Sequence, residues 1–247
     1  MKGKKILVVG ASSGIGRAIA ISLSEEGAEV VLFSRDFSKL KQVQGTLKGE
    51  NHQIFSVDVT DEEALSKALL ESVKDGKVYN GFVYSVGMEA TVPFKLLKKE
   101  SLENVMEVNT YPILSISKFL LKKGNFDKEG GSFVFISSVM GHLGQMAKVA
   151  YGMSKHAMVG VMRSLALELA SKKIRVNCVS PGMVTTDMSV KILESISEEN
   201  VQKIKDMHPL GLGTATDVAN AVVFLLGEKS RWITGVDLSV DGGYSVQ

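Results

Sequence analysis

One cysteine, four prolines and one tryptophan in 247 residues remove several kinds of protein from consideration at once. Cys178 is alone, so it can close no internal disulfide and offers no thiolate metal site, which fits a reducing compartment. The four histidines, His52, His142, His156 and His208, have no metal-ligand spacing, and no metal is expected. Net charge is nearly absent: 29 Lys and Arg against 27 Asp and Glu leave +2 with no dense basic stripe, so no nucleic-acid partner is expected. Long apolar runs are missing too. The run 221–226 is core-sized, far from the roughly 20 residues a membrane span needs. Residues 5–9 follow a basic N-terminus but break at Gly10 with no cleavage site after them, so they read as a buried strand rather than a secretory signal, and a cytoplasmic protein is expected.

Glycine, by contrast, is plentiful, with 24 residues whose placement becomes the first question. Short β-branched runs at 6–9, 29–33, 53–57, 81–85, 132–136, 174–179 and 236–240 alternate with helical patterns at 14–26, 37–47, 61–74, 101–122, 151–171 and 215–226, and one or two more around 190–205. Continuous apolar strands joined by helices predict an α/β, doubly wound fold: a seven-stranded, mainly parallel sheet with helices on both faces. With no linker, repeat or composition shift, 1–247 reads as a single domain.

Gly10, Ser12, Ser13, Gly14, Ile15 and Gly16 lie between the first strand and the first helix. Glycines there let a backbone approach a pyrophosphate held by the free N–H groups of the helix start; the competing reading is a packed strand-to-helix turn. Gly211 and Gly213 lack a preceding strand and read as loop. At the end of the second strand Ser34 stands where an acidic residue would bind a free ribose 2′-hydroxyl, and Arg35 follows, a pairing suited to a 2′-phosphate. NADP(H) is therefore favoured. Asp36 keeps NAD(H) open, and Arg35 also reads as a solvated loop cation. Asp58 and Val59, after the third strand, are placed for an adenine ring, or Asp58 is a helix cap.

Tyr151 and Lys155 share one helical face at i, i+4. An ammonium beside a phenol favours phenolate, and lowering a tyrosine from about 10 to neutrality takes about 4 kcal/mol, which a lysine and a positively charged nicotinamide can share. Ser138 ends the fifth strand at the sheet edge where ligands bind and is placed to bond a carbonyl oxygen. Asn109 is a polar residue in an apolar stripe, which taken alone reads as a local kink or a satisfied core amide, and the turn from Pro181 and Gly182 through Val184 to Thr186 is placed to orient a carboxamide.

In this order and spacing, with Thr234, Gly235 and the 240–243 tail, the residues resemble the short-chain dehydrogenase/reductase family over essentially the whole chain. The resemblance implies a Rossmann fold and hydride transfer between nicotinamide and a carbonyl or alcohol carbon. It implies Tyr151 as general acid or base, Lys155 as its tuning residue and ribose ligand, Ser138 as carbonyl binder and Asn109 as holder of a water relay to Lys155. Ser85 and Gly87 join the cofactor-binding set, and a homotetramer is implied, with the 241–243 turn at a subunit contact. The chain departs from the family in two places: Val9 stands for its usual Thr, and Tyr84, Ser85 and Val86 for Asn-Asn-Ala, with Tyr84 expected to pack as core.

Length and tail are similar to those of bacterial 3-oxoacyl-(acyl-carrier-protein) reductases, which implies a 3-oxoacyl thioester substrate. A carrier-protein partner would meet Lys128, Lys172 and Lys173, although such lysines more often form a solvated face. An NAD-dependent alcohol or sugar dehydrogenase of the same family, or a non-catalytic NADP-binding regulatory protein, are the alternatives. Met140, Met146, Met153, Met183 and Met188 read by default as gap-filling core, yet five around one site suit an adaptable apolar cleft; His142 reads as an ordinary loop histidine before a pocket-lining one, and 186–209 as a substrate lid.

Overall fold

A computed structural model describes residues 1–194 and 196–246; the side chains of Asp187, Met188, Lys191 and Ile192 lie outside that description. In chain order the elements are β1 (Lys5–Val9), α1 (Gly14–Glu25), β2 (Glu29–Ser34), α2 (Phe37–Gln44), β3 (Gln53–Ser56), α3 (Glu62–Glu71), β4 (Gly81–Tyr84), α4 (Lys99–Asn109) and α5 (Tyr111–Leu120). There follow β5 (Gly131–Ile136), α6 (Val149–Glu168), β6 (Ile174–Pro181), β7 (Val184–Thr185), α7 (Asp187–Glu194), α8 (Glu198–Asp206), β8 (Gly213–Thr214), α9 (Ala215–Leu226) and β9 (Asp237–Val240). Seven of the strands form one sheet in the order β3-β2-β1-β4-β5-β6-β9, and every pairing in it is parallel.

Because side chains alternate across a strand, each strand feeds two cores. Leu7, Phe33, Phe82, Tyr84, Phe133 and Phe135 face α3, α5 and α6, whereas Ile6, Val8, Leu32, Val83 and Val134 face α1, α2 and α9. The first core is aromatic and the second aliphatic. Phe82 meets Phe133 edge-on with centroids 5.4 Å apart, a contact worth about 1 kcal/mol beyond its burial. Helix starts are capped where the sequence supplies the oxygen: Asp36 accepts the Lys39 N–H, Asp61 the Ala64 N–H, and Thr214 and Asp217 form a reciprocal box. Each cap stabilises by about 1 kcal/mol.

Two sequence expectations change, and a third, one or two helices around 190–205, is met by two. The helix expected over 101–122 is two helices broken at Thr110, whose backbone leaves the helical region. Pro112 has no N–H to give the Val108 carbonyl four residues earlier, and the Tyr84 hydroxyl donates to that carbonyl instead, at 2.5 Å. Gly213, read as loop, opens a two-residue strand pairing with Val184. Residues 190–205 fall in two helices, with Ser195 between them outside the described residues.

The strand order reverses between β1 and β4, and in open α/β sheets ligands bind at such a switch, beyond the carboxyl ends of the strands. Gly10, Ser85, Ser138 and Gly182 all follow carboxyl ends of strands in this sheet.

Candidate active site

The glycine loop is built so that only glycine fits. Gly10 has φ +91, and a Cβ there would sit 2.8 Å from the Ser85 carbonyl carbon; a Cβ on Gly16 would sit 2.1 Å from the Gly10 oxygen. Gly14 has φ +52, and its Cβ position lies 3.4 Å from the Thr186 methyl. The loop therefore faces the turn after β6, closing a cleft between them. Ser13 caps α1 with no side-chain hydrogen bond, which leaves the amide groups of that first turn, including those of Ile15 and Gly16, without a capping oxygen. This cradle fits a dinucleotide pyrophosphate.

On one side of the loop, the Ser12 and Ser34 hydroxyls lie 2.7 Å apart. Arg35 is 81% exposed and reaches the Asp58 carboxylate only at 3.8 Å, so its guanidinium is largely solvated. The Thr60 N–H holds the Asp58 carboxyl below its ordinary range; burial opposes it, and the Thr60 hydroxyl and Arg35 assist. Asp36, the candidate partner for an unphosphorylated ribose, is engaged as the α2 cap and lies 3.9 Å from the Lys39 ammonium. Val59 is buried beside Val57 in the aromatic core.

On the other side the reactive set comes together. Burial pushes the Tyr151 phenol up from its ordinary value, and a hydrogen bond with the Ser138 hydroxyl draws it partly back. Lys155 lies under the Tyr151 ring, its ammonium 5.7 Å from the centroid, and donates to the Ile136 carbonyl at 2.8 Å. Only 3% of Lys155 is exposed, and burial takes its pKa down to about 8. Among the protein's own groups desolvation outweighs the Ser138 hydroxyl, so the phenol stays protonated at neutral pH. Gly87 passes over the pair, with its Cβ position 3.6 Å from the Lys155 nitrogen.

Asn109 is fully buried at the end of α4. Its Oδ1 accepts the Met88 N–H at 2.7 Å, and its Nδ2 donates to the Met88 carbonyl at 3.1 Å and to the Ser154 hydroxyl at 2.9 Å. The amide thus clamps the strand-four loop to α6, one residue from Lys155. Thr110 adds a bond to the Ser154 carbonyl. Of the departing residues, Val9 is core and its carbonyl accepts the Ser85 N–H, while Tyr84 is fully buried, its phenol pushed far up by desolvation.

Sequence reasoning missed two clusters beside the site. Lys148, just before α6, bonds Glu89 and the Thr91 hydroxyl, tying together the two loops that flank the cleft, and the Val92 N–H donates to the Ala147 carbonyl alongside. His142 stands 3.3 Å from the Asp237 carboxylate, which also accepts from the Ser180 hydroxyl at 2.6 Å. Their partners are 57 to 95 residues away in sequence, so no local pattern announces them. Met140 and Met153 line a cavity of about 240 Å³ with Leu143 and Lys148. Met146 does not: it stands 93% exposed because the loop turns it outward. The side chain of Met188 is outside the described residues. Among the described residues no group of His, Cys, Asp or Glu is arranged for a metal, and no helix is long and apolar enough to cross a membrane.

Residues 10–245 match the family model described as enoyl-(acyl carrier protein) reductase. The chain belongs to the short-chain dehydrogenase/reductase family. It is an NAD(P)-dependent oxidoreductase. It is 36% identical to the 3-oxoacyl-(acyl-carrier-protein) reductase of Mus musculus over 241 residues, covering 97% of each chain. It is 33% identical to the glucose 1-dehydrogenase of Gluconobacter oxydans, over 99% of this chain and 92% of that one. In structure it is similar to the L-sorbose reductase of Gluconobacter frateurii, solved with NADPH and L-sorbose, with a TM-score of 0.94 and 25% identity over 100% of this chain and 98% of the other.

Proposed function

We propose that the chain is an NADP(H)-dependent reductase of carbonyl compounds, with a 3-oxoacyl thioester as the first substrate class to test. The observation that carries this reading is the buried Tyr151 phenol, drawn down by the neighbouring Ser138 hydroxyl and seated over the buried Lys155 ammonium at the sheet edge that also bears the glycine cradle. NADP(H) rather than NAD(H) is supported by Arg35, which is free to meet a 2′-phosphate, while Asp36 is occupied as a helix cap. Gly10, Ser12, Ser13, Gly14, Ile15 and Gly16 would hold the pyrophosphate, Ser34 and Arg35 the phosphorylated ribose, and Asp58 and Val59 the adenine. Ser85 and Gly87 would contact the second ribose with Lys155, and Pro181, Gly182, Val184 and Thr186 the carboxamide.

When bound, the cofactor supplies hydride to the substrate carbon in reduction. Tyr151, held as phenol by its buried surroundings, donates the proton to the carbonyl oxygen. Ser138 offers that oxygen a hydrogen bond as charge develops on it. Lys155 keeps a positive charge under the phenol ring and stabilises the phenolate left behind, and Asn109 fixes the loop and helix that carry this set.

The reading extends to a single domain over 1–247, with 186–209 as a lid, a homotetramer and a cytoplasmic setting. The lid is supported by α8, none of whose described side chains is buried. The 3-oxoacyl reading draws on the mouse relative, and a carrier protein would be the partner; the glucose and sorbose relatives make sugars the second class. Full-chain protein mixed with NADPH or NADH and a panel of acyl thioesters, sugars and simple ketones tests it. Oxidation of NADPH in preference to NADH by a carbonyl substrate is expected; no turnover on any substrate would leave a cofactor-binding protein without chemistry.

A further inference from the structure

The end of the 186–209 segment, the turn after β6 and the C-terminal tail converge on one buried imidazole. His208, 4% exposed, lies just past α8. Its Nδ1 donates to the Ile204 carbonyl at 2.7 Å, and its Nε2 accepts the Met183 N–H at 3.0 Å. A carbonyl can only accept and an amide N–H can only donate, so the two bonds together select the neutral Nδ1–H tautomer. The ring lies on Tyr244 with centroids 4.9 Å apart. Gly182 leaves room for it: a Cβ there would come within 3.0 Å of both Nε2 and the Asp241 Cβ. Nearby, the Leu210 N–H donates to the Gly242 carbonyl at 3.0 Å, holding the tail to the same corner.

We propose that His208 is a positioning residue for the nicotinamide half of the cofactor. Its Nε2 lone pair fixes the Met183 amide and with it the set of the 181–186 turn, whose Thr186 faces Gly14 across the cleft. The same ring bonds the Ile204 carbonyl in the last turn of α8, so the end of that helix and the turn share one imidazole. The inference rests on the proposed placement of the nicotinamide beside that turn.

The test compares two ligands on the full chain by calorimetry: NADPH, and adenosine 2′,5′-bisphosphate, which carries the adenosine and 2′-phosphate but no nicotinamide. His208→Phe keeps a ring against Tyr244 and loses both polar bonds. It should weaken NADPH about tenfold, the scale of one lost buried hydrogen bond, and leave the bisphosphate within about twofold. His208→Gln, which can present an acceptor oxygen near the Nε2 position, should recover most of the NADPH affinity. His208→Asn, which reaches only the Nδ1 position, should behave like His208→Phe and gives a second route should that variant not fold.

Equal weakening of both ligands, unchanged NADPH binding in His208→Phe and His208→Asn, or His208→Gln no better than His208→Asn would each overturn the proposal. Wild-type protein that binds neither ligand would refute the cofactor reading and this inference together, whereas wild-type binding with unaffected variants refutes the inference alone.

Discussion

The two ends of the cleft lie on the same sheet edge and treat charge in opposite ways. Toward β2, Arg35 and Asp58 stand in solvent, and their ion pair is long. Toward β5 and β6, Lys155 and Asn109 are buried, and each polar atom has a specific backbone or side-chain partner. A solvated cation changes affinity by modest, salt-sensitive amounts. A desolvated one has its protonation and position set by the fold, at a cost in stability. The proposed division of labour follows: the open end chooses the cofactor, and the closed end does the chemistry.

The sharpest way to break that comparison is Tyr151→Phe. It removes the only proton donor proposed at the closed end and leaves the open end untouched, so kcat should fall by about 10³-fold, within the range for a lost general acid, while the NADPH dissociation constant moves little. Steady-state turnover beside a binding titration checks both. Loss of binding in step with turnover would mean that the two ends are not separable.

Lys155→Met tests the cost of the closed end. Turnover should disappear, yet the fold should gain stability, by about 1–3 kcal/mol at pH 7, because the variant buries a hydrocarbon of similar length in place of an ammonium. The pH dependence has a definite sign. Lys155 titrates at about 8 when folded and near 10.5 when unfolded. Between those values the unfolded chain binds the additional proton, so wild-type stability rises with pH across that window and the advantage of Lys155→Met shrinks there. Denaturant melts at pH 7 and pH 10 read it directly.

How far these contrasts were legible in the sequence follows from how local their causes are. The glycine loop, the Tyr151–Lys155 spacing and the strand periods are short-range signals, and the seven strands appear where the periods put them. The break at Thr110 was hidden because Pro112 is tolerated at a helix start as well as at a kink, and the distant Tyr84 hydroxyl that satisfies the freed carbonyl is invisible to any local pattern. The direction of the Tyr151 shift set by the protein's own groups is likewise hidden from a local pattern. Spacing reports a nearby lysine but says nothing of how deeply both groups are buried, and desolvation wins. Lys148 with Glu89 and Thr91, and His142 with Asp237, are likewise products of tertiary folding.

At the open end the expected effects are smaller. Arg35→Ala should weaken NADPH about tenfold, the worth of one charge-assisted contact, and leave NADH unchanged. That gap should narrow as salt rises, because the guanidinium is solvated. Equal losses for both cofactors would assign Arg35 to the Asp58 ion pair alone.

The smallest effect tests whether a departure from the family pattern has become structural. Tyr84→Phe keeps the ring among Phe82 and its neighbours and deletes only the hydroxyl that bonds the Val108 carbonyl. Pro112 cannot supply a replacement N–H, so a partly buried carbonyl is left without that donor and stability should fall by about 1 kcal/mol. Val108 immediately precedes Asn109, so loosening it should also loosen the clamp on Met88 and Ser154 and lower kcat a few-fold without shifting the NADPH dissociation constant. Thermal melts and turnover on the same preparation separate the two consequences. A stability loss with unchanged kcat would confine Tyr84 to the core, and no change in either would show that the Val108 carbonyl finds another donor.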